Sequence, residues 1–161
     1  MKNKMTEKLF ELAYTDSMTE VQNRNAYEER LKKLRKPNAN ISRITVIVVD
    51  VNGLKEINDS YGHFCGDDAI KTVAKALRDT IGTKADIYRI GGDEFVCISE
   101  SSVLPYISQF KDTIYFINNE KLYNLSVSIG YSRFHEKYSK SIDDIICRAD
   151  EKMYKDKKSK K

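Results

Sequence analysis

Residues 86–99 read DIYRIGGDEFVCIS, two short strand-like runs joined through Gly91-Gly92. The glycine pair has the length and chemistry of a tight β-hairpin, because primed turns require positive φ at their central positions. Asp93 and Glu94 follow directly, so two adjacent carboxylates stand where a hairpin enters its second strand. Residues 43–51, RITVIVVDV, form a continuous β-branched run that predicts a central strand covered on both faces, with Asp50 near its end. A further strand is predicted over 124–134, NLSVSIGYSRF.

Helical spacing fills the intervals. Leu9, Leu12 and Ala13 mark a short N-terminal helix, and Ala26, Tyr27, Leu31 and Leu34 mark a second over 23–36. Residues 53–58 read as a short helix and SYGHFCGDD (60–68) as a polar turn. Ile70, Val73, Ala74, Leu77 and Ile81 then form the apolar stripe of a longer helix. Residues 103–117 and 141–158 complete the set, the last with Ser141 as N-cap. The sum is an α+β domain, a mostly antiparallel sheet of about five strands flanked by helices.

With 161 residues, 40% of them hydrophobic and 32% charged, the chain suits one globular domain. Its net charge of +4 resides in residues 151–161, EKMYKDKKSKK, which hold six lysines against two acids, so the body presents no basic face for nucleic acid. The tail reads either as a solvated helix end or as a phosphate contact. Cys65, Cys97 and Cys147 are odd in number and form no CxxC, which argues against a disulfide framework or zinc site and suits a reducing cytosol. No signal-peptide run opens the sequence, and the apolar stretch 44–49 is far short of a membrane span. A cytoplasmic protein without direct membrane contact is expected.

If the hairpin lies beside the strand carrying Asp50, then Asp50, Asp93 and Glu94 converge at one edge of the sheet, where their repulsion is costly without a cation. Carboxylates without nearby His or Cys favour Mg²⁺ or Mn²⁺ at a site with open positions for phosphate oxygens. A Gly-Gly hairpin with solvent-facing acids fits the same residues. A calcium EF-hand loop does not, since Lys55 stands where a loop counted from Asp50 needs glycine.

RIGGDEF resembles the signature of the GGDEF family, the diguanylate cyclases, whose members condense two GTP into cyclic di-GMP with release of two pyrophosphates. The likeness runs through five blocks in order. DSMTEVQNRNAY (16–27) is similar to the family's D-x-L-T-G-L-x-N-R, with Glu20 for the usual glycine. DVNGLKEINDSYGHFCGDDAI (50–70) is similar to D-x-D-x-F-K-x-I-N-D-x-x-G-H-x-x-G-D, with Asn52 and Leu54 as departures. SVSIG (126–130) and RADEKMYKDKK (148–158) resemble the last strand and the A-D-x-A-L-Y-x-A-K helix.

The resemblance implies a nucleotide-cyclase, ferredoxin-like (polymerase-palm-like) architecture, with a linker helix over 1–15 and the cyclase domain over 16–161. It implies that Asp50, the Val51 carbonyl and Asp93 hold the metal, Mg²⁺ or Mn²⁺, with Glu94 at a second metal position. Asp93 is also the implied base for the attacking 3′-hydroxyl. Asn58 and Asp67 would read the guanine edge, His63 would support them, and Lys55 would contact the triphosphate. Gly91 and Gly92 would border the substrate, and Lys157 and Lys161 would be cationic phosphate ligands. A carboxylate accepting from guanine N1–H rejects adenine, which would leave it unpaired. Asp67 also suits a helix N-terminus, while Lys55 and His63, taken alone, read as a solvated lysine and a turn histidine.

One guanine site per domain implies a transient homodimer that brings two GTP molecules head to tail. The family's inhibitory R-x-x-D falls on Gly82 and Ala85, so no tight secondary product site is expected. An upstream sensor or receiver domain outside this chain is also implied. The alternative is a non-catalytic GTP- or cyclic di-GMP-binding signalling module.

Overall fold

The computed structural model describes the backbone of residues 2–160 and the side chains of residues 8–160. In chain order the elements are α1 (Lys2–Tyr14), α2 (Arg24–Leu34), β1 (Thr45–Val51), α3 (Leu54–Tyr61), α4 (His63–Thr80), β2 (Asp86–Arg89), β3 (Glu94–Ser99), α5 (Leu104–Asn118), β4 (Val127–Arg133) and α6 (Ile142–Ser159). The sheet has the order β2-β3-β1-β4, with every neighbouring pair antiparallel. From β1 onward this is the β-α-β-β-α-β arrangement of ferredoxin-like folds.

The sheet has four strands rather than the expected five. In the fifth place, Gln22 forms a parallel bridge to Tyr88 at the edge of β2, its N–H donating to the Ile87 carbonyl at 3.0 Å and its carbonyl accepting from Arg89 N at 2.8 Å. A single bridging residue thus covers part of an otherwise open edge.

Strand alternation divides the core into two layers. Ile47, Val49 and Val51 of β1 pack with Val73 and Leu77 of α4 and Phe110 of α5. Val46 and Val48 face the other way, onto Leu31 of α2 and Ile145 and Ala149 of α6. Asp50 therefore belongs to the α6 side of the sheet.

Two local expectations need correction. The segment 60–68 is mostly helix, because Gly62, at φ 84°, is the one break between α3 and α4, which begins at His63. The Gly91-Gly92 connection is not a primed turn: among the described residues positive φ occurs at Glu20, Gly53 and Gly62, and at neither hairpin glycine. The loop has three residues, Gly91 to Asp93, closed by Ile90 N donating to the Glu94 carbonyl at 3.0 Å. A Cβ at Gly91 would lie 2.9 Å from Glu94 Oε2, so a larger residue there would shift the Glu94 carboxylate.

Helix α6 starts at a capping box in which Ser141 Oγ accepts from Asp144 N and Asp144 accepts from Ser141 N. It then lies directly on β4, because Gly130 leaves room: a Cβ there would come 2.1 Å from the Ala149 carbonyl oxygen. Three side chains fasten its far half to the strand edge. Lys152 donates to the Tyr131 carbonyl at 3.0 Å, Asp156 accepts from Ile129 N at 2.9 Å, and Lys160 donates to the Val127 carbonyl at 2.7 Å. Four residues of helix rise about 6 Å and two of strand about 6.6 Å, so the two spacings match. The ladder covers the β4 edge and fixes the backbone of the last two turns of α6.

Candidate active site

A cavity of about 620 Å³ opens between the β1–α3 loop, the hairpin and the end of α6. Its walls include Val51, Asn52, Lys55, Tyr61, Asp93, Asn124, Ser126, Lys157 and Lys160. The hairpin is tied to β1 by Val51 N donating to the Asp93 carbonyl at 2.9 Å. The β1–α3 loop is tied to β4 through Asn52, whose backbone N–H reaches the Ser126 carbonyl at 2.9 Å. The Asn52 amide donates to Ser126 Oγ at 3.1 Å and accepts from Ser128 Oγ at 2.7 Å. A carboxylate cannot donate, so this two-way use of the amide is a local reason for asparagine at position 52.

The hairpin is also held from outside. Arg89 donates to the Gly92 carbonyl at 2.8 Å and to both Asp16 oxygens at 3.1 and 3.3 Å. Asp16 in turn accepts from Thr19 N and Oγ1 at 3.0 and 2.6 Å. Burial pushes the Asp16 carboxyl up, but the Thr19 and Arg89 bonds outweigh it and hold the group below its ordinary value.

The acids are divided between two cavities. Asp50 and Glu94 are direct cross-strand partners and share the α6 side with Asp150, Met153, Tyr154 and Lys158, around a second cavity of about 570 Å³. Asp93, one residue earlier than Glu94, lines the first cavity, and Lys157 borders both. Asp50 is only 4% exposed, and Lys157 Nζ donates to its Oδ1 at 2.7 Å. Burial pushes the Asp50 carboxyl above its ordinary value despite Lys157, with Asp93 adding to the rise. Glu94 is raised by burial and then by Asp93 and Asp50, while the bond to Asp50 raises Lys157.

Among the described residues, no three side chains of His, Cys, Asp or Glu are placed to hold a metal ion together. The donors are nonetheless all oxygens, and Asp50, Asp93 and Glu94 carry more negative charge than Lys157 neutralises. That donor chemistry suits a hard divalent ion such as Mg²⁺ or Mn²⁺.

Lys55, Asp93, Val51 and Lys157 are thus brought to one cavity, whereas Asn58, His63 and Asp67 lie outside its walls on the α3–α4 pair. Asn58 packs so closely on α4 that a Cβ at Gly66 would be 1.9 Å from its Oδ1. His63 is exposed at the start of α4. Asp67 is half-buried in the second turn, beyond the first turn where the helix dipole acts most strongly. Gly91 and Gly92 precede Asp93 in the hairpin loop but are not among the cavity walls, and Lys161 lies outside the described residues. Sequence reasoning missed Asn124, Ser126 and Lys160. The i, i+4, i+8 spacing of Lys152, Asp156 and Lys160 is the signal that points to the last of these.

Residues 13–161 match the family model described as "Diguanylate cyclase, GGDEF domain". The chain belongs to the GGDEF family. This GGDEF domain is 32% identical over 153 residues to a probable diguanylate cyclase, DgcI, of Escherichia coli K12, covering 94% of the chain and 33% of that protein. It is 31% identical over 170 residues to a diguanylate cyclase of Vibrio cholerae, covering 96% of the chain and 50% of that protein. The chain therefore spans about a third to a half of the length of these relatives. The coiled coil and GGDEF domain of DgcB from Caulobacter crescentus, solved with c-di-GMP, superposes with a TM-score of 0.82 at 23% identity, covering 98% of this chain and 87% of that one. Diguanylate cyclase SiaD from Pseudomonas aeruginosa, in complex with its activator SiaC, gives 0.80 at 21% identity, covering 99% and 64%. At these identities the structures establish the fold of the GGDEF domain. Among the described residues no helix is long and apolar enough to cross a membrane.

Proposed function

We propose that this GGDEF domain is a diguanylate cyclase that joins two GTP into cyclic di-GMP with release of two pyrophosphates. Family membership and the names of the relatives support the reaction class. The observation that carries the reading is the 620 Å³ cavity, in which Lys55, Lys157 and Lys160 face Asp93 and the end of β1 beside the hairpin.

In this reading Lys55 and Lys157 bind the triphosphate, and Lys161 joins them by its position in the tail. Asp50, Asp93 and the Val51 carbonyl hold the divalent ion, Mg²⁺ or Mn²⁺, with Glu94 at a second position. When bound, the ion supplies positive charge that polarises the α-phosphoryl group. Asp93 takes the proton of the attacking 3′-hydroxyl, and the lysines offset the charge that develops on the phosphoryl oxygens. Asn58 and Asp67 meet the guanine edge, with His63 supporting them. The described residues of the chain form one cavity lined by Lys55, Asp93 and Lys157 while the product contains two nucleotides, so the active species is a transient homodimer. Residues 1–15 serve as a linker helix to an upstream sensor or receiver domain, and residues 16–161 as the cyclase unit.

The test is the purified chain with GTP and Mg²⁺, products resolved by chromatography. Wild type should form cyclic di-GMP with specific activity that rises with protein concentration. Asp93→Asn should retain GTP binding and lose turnover by at least about 100-fold. GTP bound but unconverted by wild type would point to the non-catalytic signalling module instead. Cyclic di-GMP should not bind tightly at the secondary position, where a Cβ at Gly82 would lie 2.5 Å from the Arg78 carbonyl oxygen. Micromolar binding there by calorimetry would contradict that reading.

A further inference from the structure

We propose that Lys157 is a resident cation of the acid pair Asp50–Glu94, closing it to bare divalent metal until nucleotide phosphates draw the ammonium away. The inference rests on the metal-nucleotide reading of the site and adds an order of events to it.

Three observations carry it. Asp50 is nearly sealed from solvent, and among the described residues Lys157 is the one cation bonded to it, at 2.7 Å. The buried carboxylate already has its counter-charge, so a bare metal ion gains Asp50 only by displacing that ammonium and giving up its bond. The backbone beneath Lys157 is fixed by the Asp156 and Lys160 bonds to the β4 edge, so the exchange is confined to the lysine side chain. Finally, Lys157 borders both cavities, the one holding Asp50 and Glu94 and the one holding Asp93 and Lys55. A triphosphate in the cavity that holds Asp93 and Lys55 offers the ammonium a new anionic partner, which makes the exchange of cations on Asp50 nearly balanced. Lysine suits this task, since its charge is a point on a flexible four-carbon stem, whereas the planar guanidinium of arginine favours a fixed fork on one carboxylate.

The chain therefore takes its metal together with the nucleotide and has little affinity for the ion alone. The experiment titrates Mn²⁺ into the full chain without nucleotide, following the free-ion electron paramagnetic resonance signal. Wild type should bind weakly, and Lys157→Met should bind at least about tenfold tighter, as removal of an adjacent unit charge predicts. Lys157→Gln, which keeps a hydrogen-bond donor for Asp50, should show the same gain and covers the case in which the methionine variant does not fold. Lys157→Arg should stay near wild type. Lys158→Met removes an equal charge from the cavity of Asp50 and Glu94 at a lysine with no bond to Asp50, and should stay near wild type. No gain in the folded neutral variants, or an equal gain in Lys158→Met, would overturn the proposal. Because no GTP is present, the outcome is independent of whether the chain turns over, which the cyclase assay reads separately.

Discussion

Glu20 occupies a left-handed backbone position, φ 61°, in the turn that carries Asp16 and Thr19, and Glu20→Gly is expected to make the domain more stable. An L-residue with a Cβ costs about 1–2 kcal/mol in this region. Glycine returns about 0.5–1 kcal/mol of that through its greater freedom in the unfolded chain. The side chain contributes little to offset the difference: it is 78% exposed and its ion pair with Arg78 spans 3.6 Å. The net gain is about 0.5–1 kcal/mol, or roughly 1–4 °C in Tm for a chain of this size. Urea unfolding followed by circular dichroism measures it, with Glu20→Ala as the companion variant that also loses the ion pair but keeps a Cβ. The expected order is glycine, then wild type, then alanine. A glycine variant no more stable than the alanine one would refute the attribution of strain to position 20. The turn matters for the site because Asp16 holds Arg89, which holds the Gly92 carbonyl. A firmer turn should leave cyclase turnover at or above the wild-type level.

Glu94→Gln should stabilise the metal-free protein at pH 7 by a fraction of about 1 kcal/mol, since like charges directly opposite in a sheet repel. The folded Glu94 value is raised, so its contribution to stability is fully present below the unfolded value near 4.5 and is lost as pH rises through the folded value. The glutamine variant should lack that part of the decline, and equal stability of the two proteins at pH 7 would count against the repulsion. Gly66→Ala should displace Asn58, against which the new methyl would lie at 1.9 Å, and raise the KM for GTP several-fold with an unchanged far-ultraviolet spectrum. An unaltered KM would remove Asn58 from the guanine contacts. Asp156→Ala leaves the Ile129 N–H without its partner and should cost about 1–3 kcal/mol in urea unfolding, a loss absent if water replaces the carboxylate.

Local pattern made much of the fold legible. The β-branched run of β1 and the 3.6-residue stripes of α2 and α4 announce themselves, because backbone hydrogen bonding and side-chain period act over a few residues. Less local features were not. Gly91 and Gly92 suggest a primed turn, yet the loop has three residues, and neither glycine has a positive φ. The polar string 60–68 reads as a turn, although one positive-φ glycine suffices to separate two helices there. Adjacency in DE suggests two acids acting together, but Asp93 closes the loop and Glu94 opens β3, and the two border different cavities.

By itself the sequence determined the order of the elements, the burial of β1 and the roster of acids, lysines and glycines around the hairpin, since these follow from residue type and short-range spacing. Only the tertiary structure decided that Lys157 meets Asp50 across 107 residues, that α6 seals the β4 edge and that Asn52 bonds β4. Those contacts depend on how a helix seats on a sheet, and seating is set by packing volume and edge hydrogen bonds that no short stretch of chain encodes.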